Sequence, residues 1–307
     1  MREGPIRIGS RGSQLALWQA HHVALLLRGQ GHGVEIEVIK TTGDRLQEVT
    51  FAQVGTKGMF TLEIEQALAD GRIDLAVHSL KDLPTELPAG FALGAVPTRA
   101  DARDVLVSKN FAGLNELPPG ARVGTSSLRR RSQLRHVRPD LEFVEFRGNV
   151  DTRLRKLGEG QVEAIVLAAA GLDRLGMTDW VRERLEVEVV CPAAGQGALG
   201  IEIREGDQEI AEAVSFMEDC ATRFAVTAER EALAALGGGC QVPIGVHCRP
   251  LTGGQKFSIL GVVTDPMGDR MARSAAIGMD AVTLGQALAA DLLRQGAGEL
   301  FAGIGIG

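Results

Sequence analysis

A pattern that occurs twice narrows the folds open to this chain more than any other property. Gly71-Arg-Ile-Asp-Leu-Ala-Val and Gly160-Gln-Val-Glu-Ala-Ile-Val match position by position in chemical type. The first copy follows a helical stretch, Thr61 to Asp70, which Gly71 stops, and runs into a short apolar strand, Ile73 to His78. A second echo links Arg11-Gly-Ser-Gln-Leu with Arg131-Ser-Gln-Leu. Chance similarity between short strands is the simpler alternative. Two copies of one βα design predict two similar lobes, facing each other across a cleft, which is a usual ligand site.

The rest of the chain fits that plan. A strand at Ile6 to Gly9 leads through a polar turn into a helix, Gln14 to Arg28, whose residues Ala16, Leu17, Ala20, Val23, Ala24 and Leu27 recur at helical spacing. Val34 to Ile39 alternates as a strand, and Arg122-Val-Gly-Thr-Ser-Ser is a strand entering a turn before a helix that runs to about Val137. Alternating strands and helices predict α/β architecture. Pro97 to Asp104 and Pro192 to Gly200 read as crossings between lobes. A helix from Thr222 to Leu236, strands at Lys256–Val263 and Met271–Ile277, and a helix from Thr283 to Gln295 then form a smaller third domain. With 307 residues the chain is long enough for such a division.

Charge narrows the function. The net charge of −6 does not suggest a nucleic-acid or membrane-surface protein, and the absence of tyrosine argues against base stacking. Yet between Arg122 and Arg155 nine arginines stand against four acids. A local basic patch on an acidic chain points to a small anionic ligand, and a solvated helix face is the alternative. The four cysteines, Cys191, Cys220, Cys240 and Cys248, show no CxxC pair, and no stretch reads as a signal core or a membrane span. A cytoplasmic protein without a disulfide framework is expected.

Several short segments carry candidate chemistry. His78-Ser-Leu-Lys81-Asp82-Leu-Pro84 follows a strand end, where ligands gather in open α/β sheets. Asp82 there could shuttle protons or steady a developing cation, while residue type alone favours a plain surface Lys-Asp pair. Gly124-Thr125-Ser126-Ser127-Leu128-Arg129-Arg130 puts hydroxyls and backbone N–H groups at a helix start, a natural anion site. Simple helix capping by Ser126 or Ser127 is compatible with it. Arg147-Gly148-Asn-Val-Asp-Thr-Arg153 repeats the design. Gly195-Gln-Gly-Ala-Leu-Gly200 fits the dinucleotide pattern, but the following Ile201-Glu-Ile-Arg alternates like a strand where a helix is required. Those glycines read instead as a close backbone crossing. Gly237-Gly-Gly-Cys240 sets a thiol on a flexible loop, open to two readings: an inert cysteine, or a reactive or substituted one. A zinc site from Cys240, His247 and Cys248 lacks a fourth ligand and good spacing, so no metal is expected.

Taken in order, these segments resemble one family, hydroxymethylbilane synthase (porphobilinogen deaminase). The resemblance rests on Ile8-Gly-Ser-Arg-Gly-Ser-Gln-Leu-Ala-Leu-Trp-Gln-Ala, Gly55-Thr-Lys-Gly-Met-Phe60, the His78 to Pro84 segment, Val123-Gly-Thr-Ser-Ser-Leu-Arg-Arg, Arg147-Gly-Asn-Val, Pro192-Ala-Ala-Gly-Gln-Gly-Ala and Gly238-Gly-Cys-Gln-Val-Pro-Ile-Gly. It spans nearly the whole chain, and the ordered set is far more specific than any one motif. It implies two lobes like those of type II periplasmic binding proteins, residues 1–98 with 198–216 and residues 99–197, and a C-terminal α/β domain, 217–307, that carries the cofactor cysteine. It further implies a dipyrromethane held as a thioether on Cys240. Four porphobilinogens are joined to it with loss of ammonia, and hydroxymethylbilane is released.

Carried over residue by residue, the resemblance makes Asp82 the catalytic carboxylate, steadying positive charge on the pyrrole nitrogens of an azafulvene-like intermediate. It sets Lys81, Asp82, Thr125, Ser126, Ser127, Arg129, Arg130, Arg147 and Gly148 around the cofactor. It sets Arg11, Ser13, Lys57, Phe60, Ser79, Arg147, Arg153 and Gln196 around the substrate. A monomer is the family expectation, with porphobilinogen as its small-molecule partner. One departure is Gln53, where many members have Lys; the loop from Asp44 to Met59 is expected to act as a lid. Two other readings compete. A non-catalytic anion-binding protein leaves the third domain and the cysteine loop unexplained. A simple thiol enzyme would use Cys240 as nucleophile.

Overall fold

In the computed structural model, which describes residues 4–41, 61–238 and 242–300, the apolar runs fold into three sheets. The strands in chain order are β1 (Ile6–Ser10), β2 (Val34–Val38), β3 (Leu75–Ser79), β4 (Phe91–Ala95), β5 (Asp104–Val107), β6 (Arg122–Gly124), β7 (Glu142–Val144), β8 (Ala164–Ala168), β9 (Val181–Arg184), β10 (Leu199–Arg204), β11 (Ile244–Pro250), β12 (Phe257–Thr264) and β13 (Met271–Gly278). The chain divides into two compact units, residues 1–99 with 198–223, and residues 100–197 with 224–307.

The first unit holds a sheet of order β2-β1-β3-β10-β4. β1 runs parallel to β2 and β3, while β10 runs antiparallel to β3 and β4. The second unit holds β7-β6-β8-β5-β9, with β6 parallel to β7 and β8, and β5 antiparallel to β8 and β9. The two orders are the same design, strand for strand. β3 and β8, into which the two glycine-led repeats run, occupy equivalent places. In each sheet an antiparallel strand from elsewhere in the chain pairs with that third strand. This is the lobe topology implied by the resemblance.

Local sequence accounts for the helices that flank these strands. Helix Gln14–Gly29 starts on Ser13, whose hydroxyl accepts a hydrogen bond from the Ala16 amide at 3.3 Å. It buries Ala20, Val23, Ala24 and Leu27 against Ile8, Leu75, Val77 and Ile201. Full burial stabilises each larger aliphatic side chain by about 1.5–3 kcal/mol. On the other face of the sheet, helix Leu62–Ala69 packs Ile64, Ala67 and Leu68 over Ala76.

The C-terminal sheet, β11-β12-β13, has its own core with helix Ala281–Arg294, including Val246, Ile259, Val263, Leu288 and Leu292. β11 was not foreseen: Pro243 and Gly245 make the segment read as an extension of the cysteine loop. The helix expected from Thr222 spans Cys220–Ala235. Residues 224–307 belong to the same unit as 100–197, and buried polar bonds explain why. Ser132 Oγ meets Thr264 Oγ1 at 2.5 Å, and the Val246 amide donates to the Pro192 carbonyl at 2.8 Å. The fully buried Glu229 accepts from the amides of Gly195 and Cys248, both at 2.7 Å.

Candidate active site

β3 delivers Ser79 to the end of a parallel strand, and the chain then turns through a 3-10 helix, Leu80–Asp82. Leu80 and Leu83 are buried and anchor that turn, leaving Lys81 half-buried and Asp82 exposed. Ser79 and Asp82 share a pocket of about 70 Å³ with Arg11, Ser13, Gln19 and His78. That is room for a few water molecules. Gln19 is buried on helix Gln14–Gly29, and its Nε2 donates to Ser79 Oγ at 2.8 Å. The pocket therefore joins four residues named from the sequence, Arg11, Ser13, Ser79 and Asp82. Sequence reasoning gave Gln19 no role of its own, placing it only within a helix and within the Ile8 to Ala20 segment.

The second unit builds its polar centre on the turn after β6. Ser127 caps helix Leu128–Val137, accepting from the Arg130 amide at 3.4 Å. Thr125 Oγ1 accepts from the Ser127 amide at 3.2 Å, and Ser126 Oγ accepts from the Phe146 amide at 3.2 Å. Capping and turn formation thus engage all three hydroxyls. Arg129 and Arg130 are both buried and both converge on Asp104, which is fully buried on β5. Arg129 Nη1 donates to Asp104 Oδ2 at 2.8 Å and to the Cys191 carbonyl at 2.7 Å. Arg130 meets Asp104 Oδ1 through Nε at 2.9 Å and Nη2 at 2.8 Å. Gln196 is equally enclosed, its Nε2 donating to the Ala102 carbonyl at 2.7 Å and to Asp104 Oδ1 at 3.0 Å. Burial alone would raise the Asp104 carboxyl. The charges of Arg129 and Arg130, and the bonds they donate, outweigh it and hold the group far below the usual carboxylate range.

Arg129 and Gln196, assigned from the sequence to ligand contacts, thus build an internal network in this structure and set the position of Arg130. Beyond it, Arg147 pairs with Glu145 at 2.5 Å, and Arg153 Nε donates to the Gly148 carbonyl at 2.7 Å. Burial pushes the Arg153 guanidinium down to about 10, and the like charge of Arg130 adds to the effect. A further arginine not singled out from the sequence, Arg174, is pushed down to about 10 by burial and donates to the Gly197 carbonyl at 2.8 Å. It lies on helix Ala169–Leu175, directly after β8, as the Asp82 turn lies directly after β3. Extending the sequence repeat a few residues further would have pointed to it.

The Gly195 to Gly200 segment has the crossing role read from the sequence. Gly197 sits at φ +86°, and a Cβ there would lie 2.6 Å from the Ala100 carbonyl oxygen. A strand, β10, follows it, as the alternation of Ile201 and Ile203 indicates. Lys57, Phe60 and Cys240, together with Gln53 and the expected lid, lie outside the described residues.

The two units carry α/β sheets of one design, one with a carboxylate at a pocket edge and the other with a run of arginines, and this defines a class of two-lobed α/β proteins. The model of "Porphobilinogen deaminase, dipyromethane cofactor binding domain" matches residues 6–212, and that of "Porphobilinogen deaminase, C-terminal domain" matches residues 223–294. The chain belongs to the porphobilinogen deaminase family. It is 52% identical to the porphobilinogen deaminase of Nitratidesulfovibrio vulgaris Miyazaki F over 303 residues, covering 96% of this chain and 95% of that one. It is 48% identical to that of Brevibacillus brevis over 301 residues, covering 97% of each. Among solved structures, a periplasmic substrate-binding protein of an ABC transporter from Coxiella burnetii aligns with TM-score 0.44 at 16% identity, over 71% of this chain and 94% of that one.

Proposed function

We propose that Asp82 is the catalytic carboxylate of this chain, that Cys240 carries its dipyrromethane through a thioether, and that the arginines of the second unit hold ligand carboxylates. The family's reaction joins four porphobilinogen molecules head to tail, with loss of ammonia at each step, and releases hydroxymethylbilane for tetrapyrrole biosynthesis. One observation carries the assignment of Asp82: it stands at the end of β3 in one pocket with Arg11, Ser13 and Ser79. A carboxylate beside a guanidinium and two hydroxyls can stabilise positive charge on a pyrrole nitrogen and pass a proton to a departing amine. Arg11 then orients a substrate carboxylate, and Ser13 and Ser79 fix its rotation.

The donor set fits the cofactor. When bound, the dipyrromethane supplies the pyrrole carbon to which substrate is joined, and it brings several carboxylates. Burial, and after it the like charge of Arg130, lowers the affinity of Arg153 for its proton, so a carboxylate placed there relieves like-charge repulsion. Thr125, Ser126 and Ser127 line the turn at a helix N-terminus, where backbone N–H groups favour anions. Lys81, Arg147 and Gly148 complete the proposed cofactor contacts; Lys57 and Phe60 complete the substrate contacts, while Gln196, fully buried against Asp104, acts from within the internal network. Arg129 serves chiefly through Arg130 and Asp104.

Among the described residues no helix is long and apolar enough to cross a membrane. The family membership supports porphobilinogen as the partner, the acidic net charge disfavours nucleic acid, and a cytoplasmic monomer is part of the proposal. The test of the central assignment is Asp82→Ala. Because Asp82 is exposed, unfolding stability should stay within about 0.5 kcal/mol of the parent. The rate of porphobilinogen consumption should fall by at least about 10²-fold. A near-parental rate in the folded variant would sink the assignment.

A further inference from the structure

Gln19 is a polar wall of the Asp82 pocket to which the proposed chemistry gives no part. It lies on helix Gln14–Gly29, where Leu15, Ala16 and Gln19, three and four residues apart, turn one face to the pocket. The following residues Ala20 and Val23 pack into the aliphatic core of the first unit. Gln19 itself is only 2% exposed. An apolar side chain of the same length would fill that place without desolvating an amide. The role of the amide therefore lies in what it bonds, and its Nε2 donates to Ser79 Oγ at 2.8 Å.

Ser79 ends β3 and stands opposite Leu199 of β10, so its backbone is held and the rotation of its side chain is the freedom left to it. A hydroxyl oxygen that accepts from Gln19 turns its own O–H in another direction. Among the described residues no acceptor meets that O–H, and Ser79 is a wall of the pocket. A donor with its direction fixed, beside the guanidinium of Arg11, suits a carboxylate.

We propose that Gln19 is a positioning residue that holds the Ser79 hydroxyl as a hydrogen-bond donor for a substrate carboxylate, a role that rests on the reading of this pocket as the place where porphobilinogen binds. Porphobilinogen is a pyrrole with two carboxylates and an aminomethyl group. A hydroxyl free to rotate spends part of its time with its lone pairs towards an incoming carboxylate, which opposes binding. Gln19 removes that freedom by occupying the oxygen from the helix side. Ser79 touches the substrate, and Gln19 acts through Ser79; no bond to either residue forms or breaks. The same hydrogen bond ties the helix that starts at Ser13 to the strand that leads into the Asp82 turn, so both halves of the pocket keep their spacing.

The test uses the holoenzyme and a pyrrole that bears the two carboxylate arms of porphobilinogen without its aminomethyl group, so that binding is read without turnover. Titration calorimetry compares the parent with Gln19→Met, which keeps the length of the side chain and lacks the amide, with Ser79→Ala and with the double variant. Ser79→Ala should weaken binding about tenfold and Gln19→Met about fivefold. The double variant should bind within about twofold of Ser79→Ala, because no hydroxyl is left to orient. In a Ser79→Thr background, which keeps a hydroxyl, Gln19→Met should again weaken binding about fivefold. The same ratios should appear in KM for porphobilinogen. Single losses that multiply in the double variant, or a Gln19→Met that binds like the parent, would overturn the proposal. A Gln19→Met that does not fold would assign the residue to the fold and overturn it as well. If Ser79→Ala binds like the parent while Asp82→Ala has lost turnover, the pocket stands and the positioning role falls. If the parent binds no pyrrole and Asp82→Ala turns over normally, the reading of the pocket falls and takes the proposal with it.

Discussion

Asp104→Asn removes one negative charge from a site where two guanidiniums are buried around it. Arg129 and Arg130 have side-chain exposures of 5% and 8%, and Asp104 of 0%. At about 4 Å and an effective dielectric near 20, each charge pair attracts by about 4 kcal/mol before desolvation is counted. Removing one partner of such a buried set costs about 3–5 kcal/mol, because the charges left behind stay buried and unpaired. The amide makes matters worse. Asp104 Oδ2 accepts from Arg129, and Oδ1 accepts from Arg130 and Gln196. Asparagine has one oxygen, so its NH₂ must face a donor on one side. In urea, with a slope of about 3 kcal/mol per molar, the midpoint for the unit that contains β5 should fall by about 1–1.7 M. The same network predicts the acid limb. The folded carboxyl lies far below its unfolded value, so its stabilisation is complete above the ordinary carboxylate range and is lost progressively as pH falls from that range towards the much lower folded value. Asp104→Asn should flatten that loss. A variant within about 1 kcal/mol of the parent, with an unchanged acid limb, would refute the reasoning.

Other consequences follow from the same geometry. Gly197→Ala should destabilise by about 2–4 kcal/mol in chemical unfolding, since it combines left-handed strain with a backbone clash against Ala100. Arg147→Leu should impair elongation, read as slowed formation of enzyme–substrate intermediates on native gels. Arg153→Leu should do the same and, because Arg153 is partly desolvated, should cost little stability; a loss above about 2 kcal/mol would assign it to the fold instead.

The lobes were legible because glycine-led strands of like chemistry recur at Gly71 and Gly160. Local pattern is what sets an apolar strand and the helix that precedes it. The antiparallel members, β5 and β10, were not assignable to their sheets, because strand pairing is decided by contacts far apart in sequence. β11 was missed since proline and glycine at its start mimic a loop, although Ile244, Val246 and Cys248 alternate inward. At the site, the hydroxyl and arginine motifs stood out as residue types. Asp104, twenty-five residues before Arg129, did not, because nothing in the sequence distinguishes an acid that will end up beneath a helix start from one that stays in water. Gln19 received no role for the same reason: its importance lies in being enclosed against Ser79.

The most direct test of the account is the intact mass of the denatured protein, measured beside Cys240→Ser. The account predicts an excess equal to one dipyrrole that is absent from the variant, and stepwise gains of pyrrole units when porphobilinogen is added to the parent. An unmodified parent mass that gains nothing from porphobilinogen would contradict it.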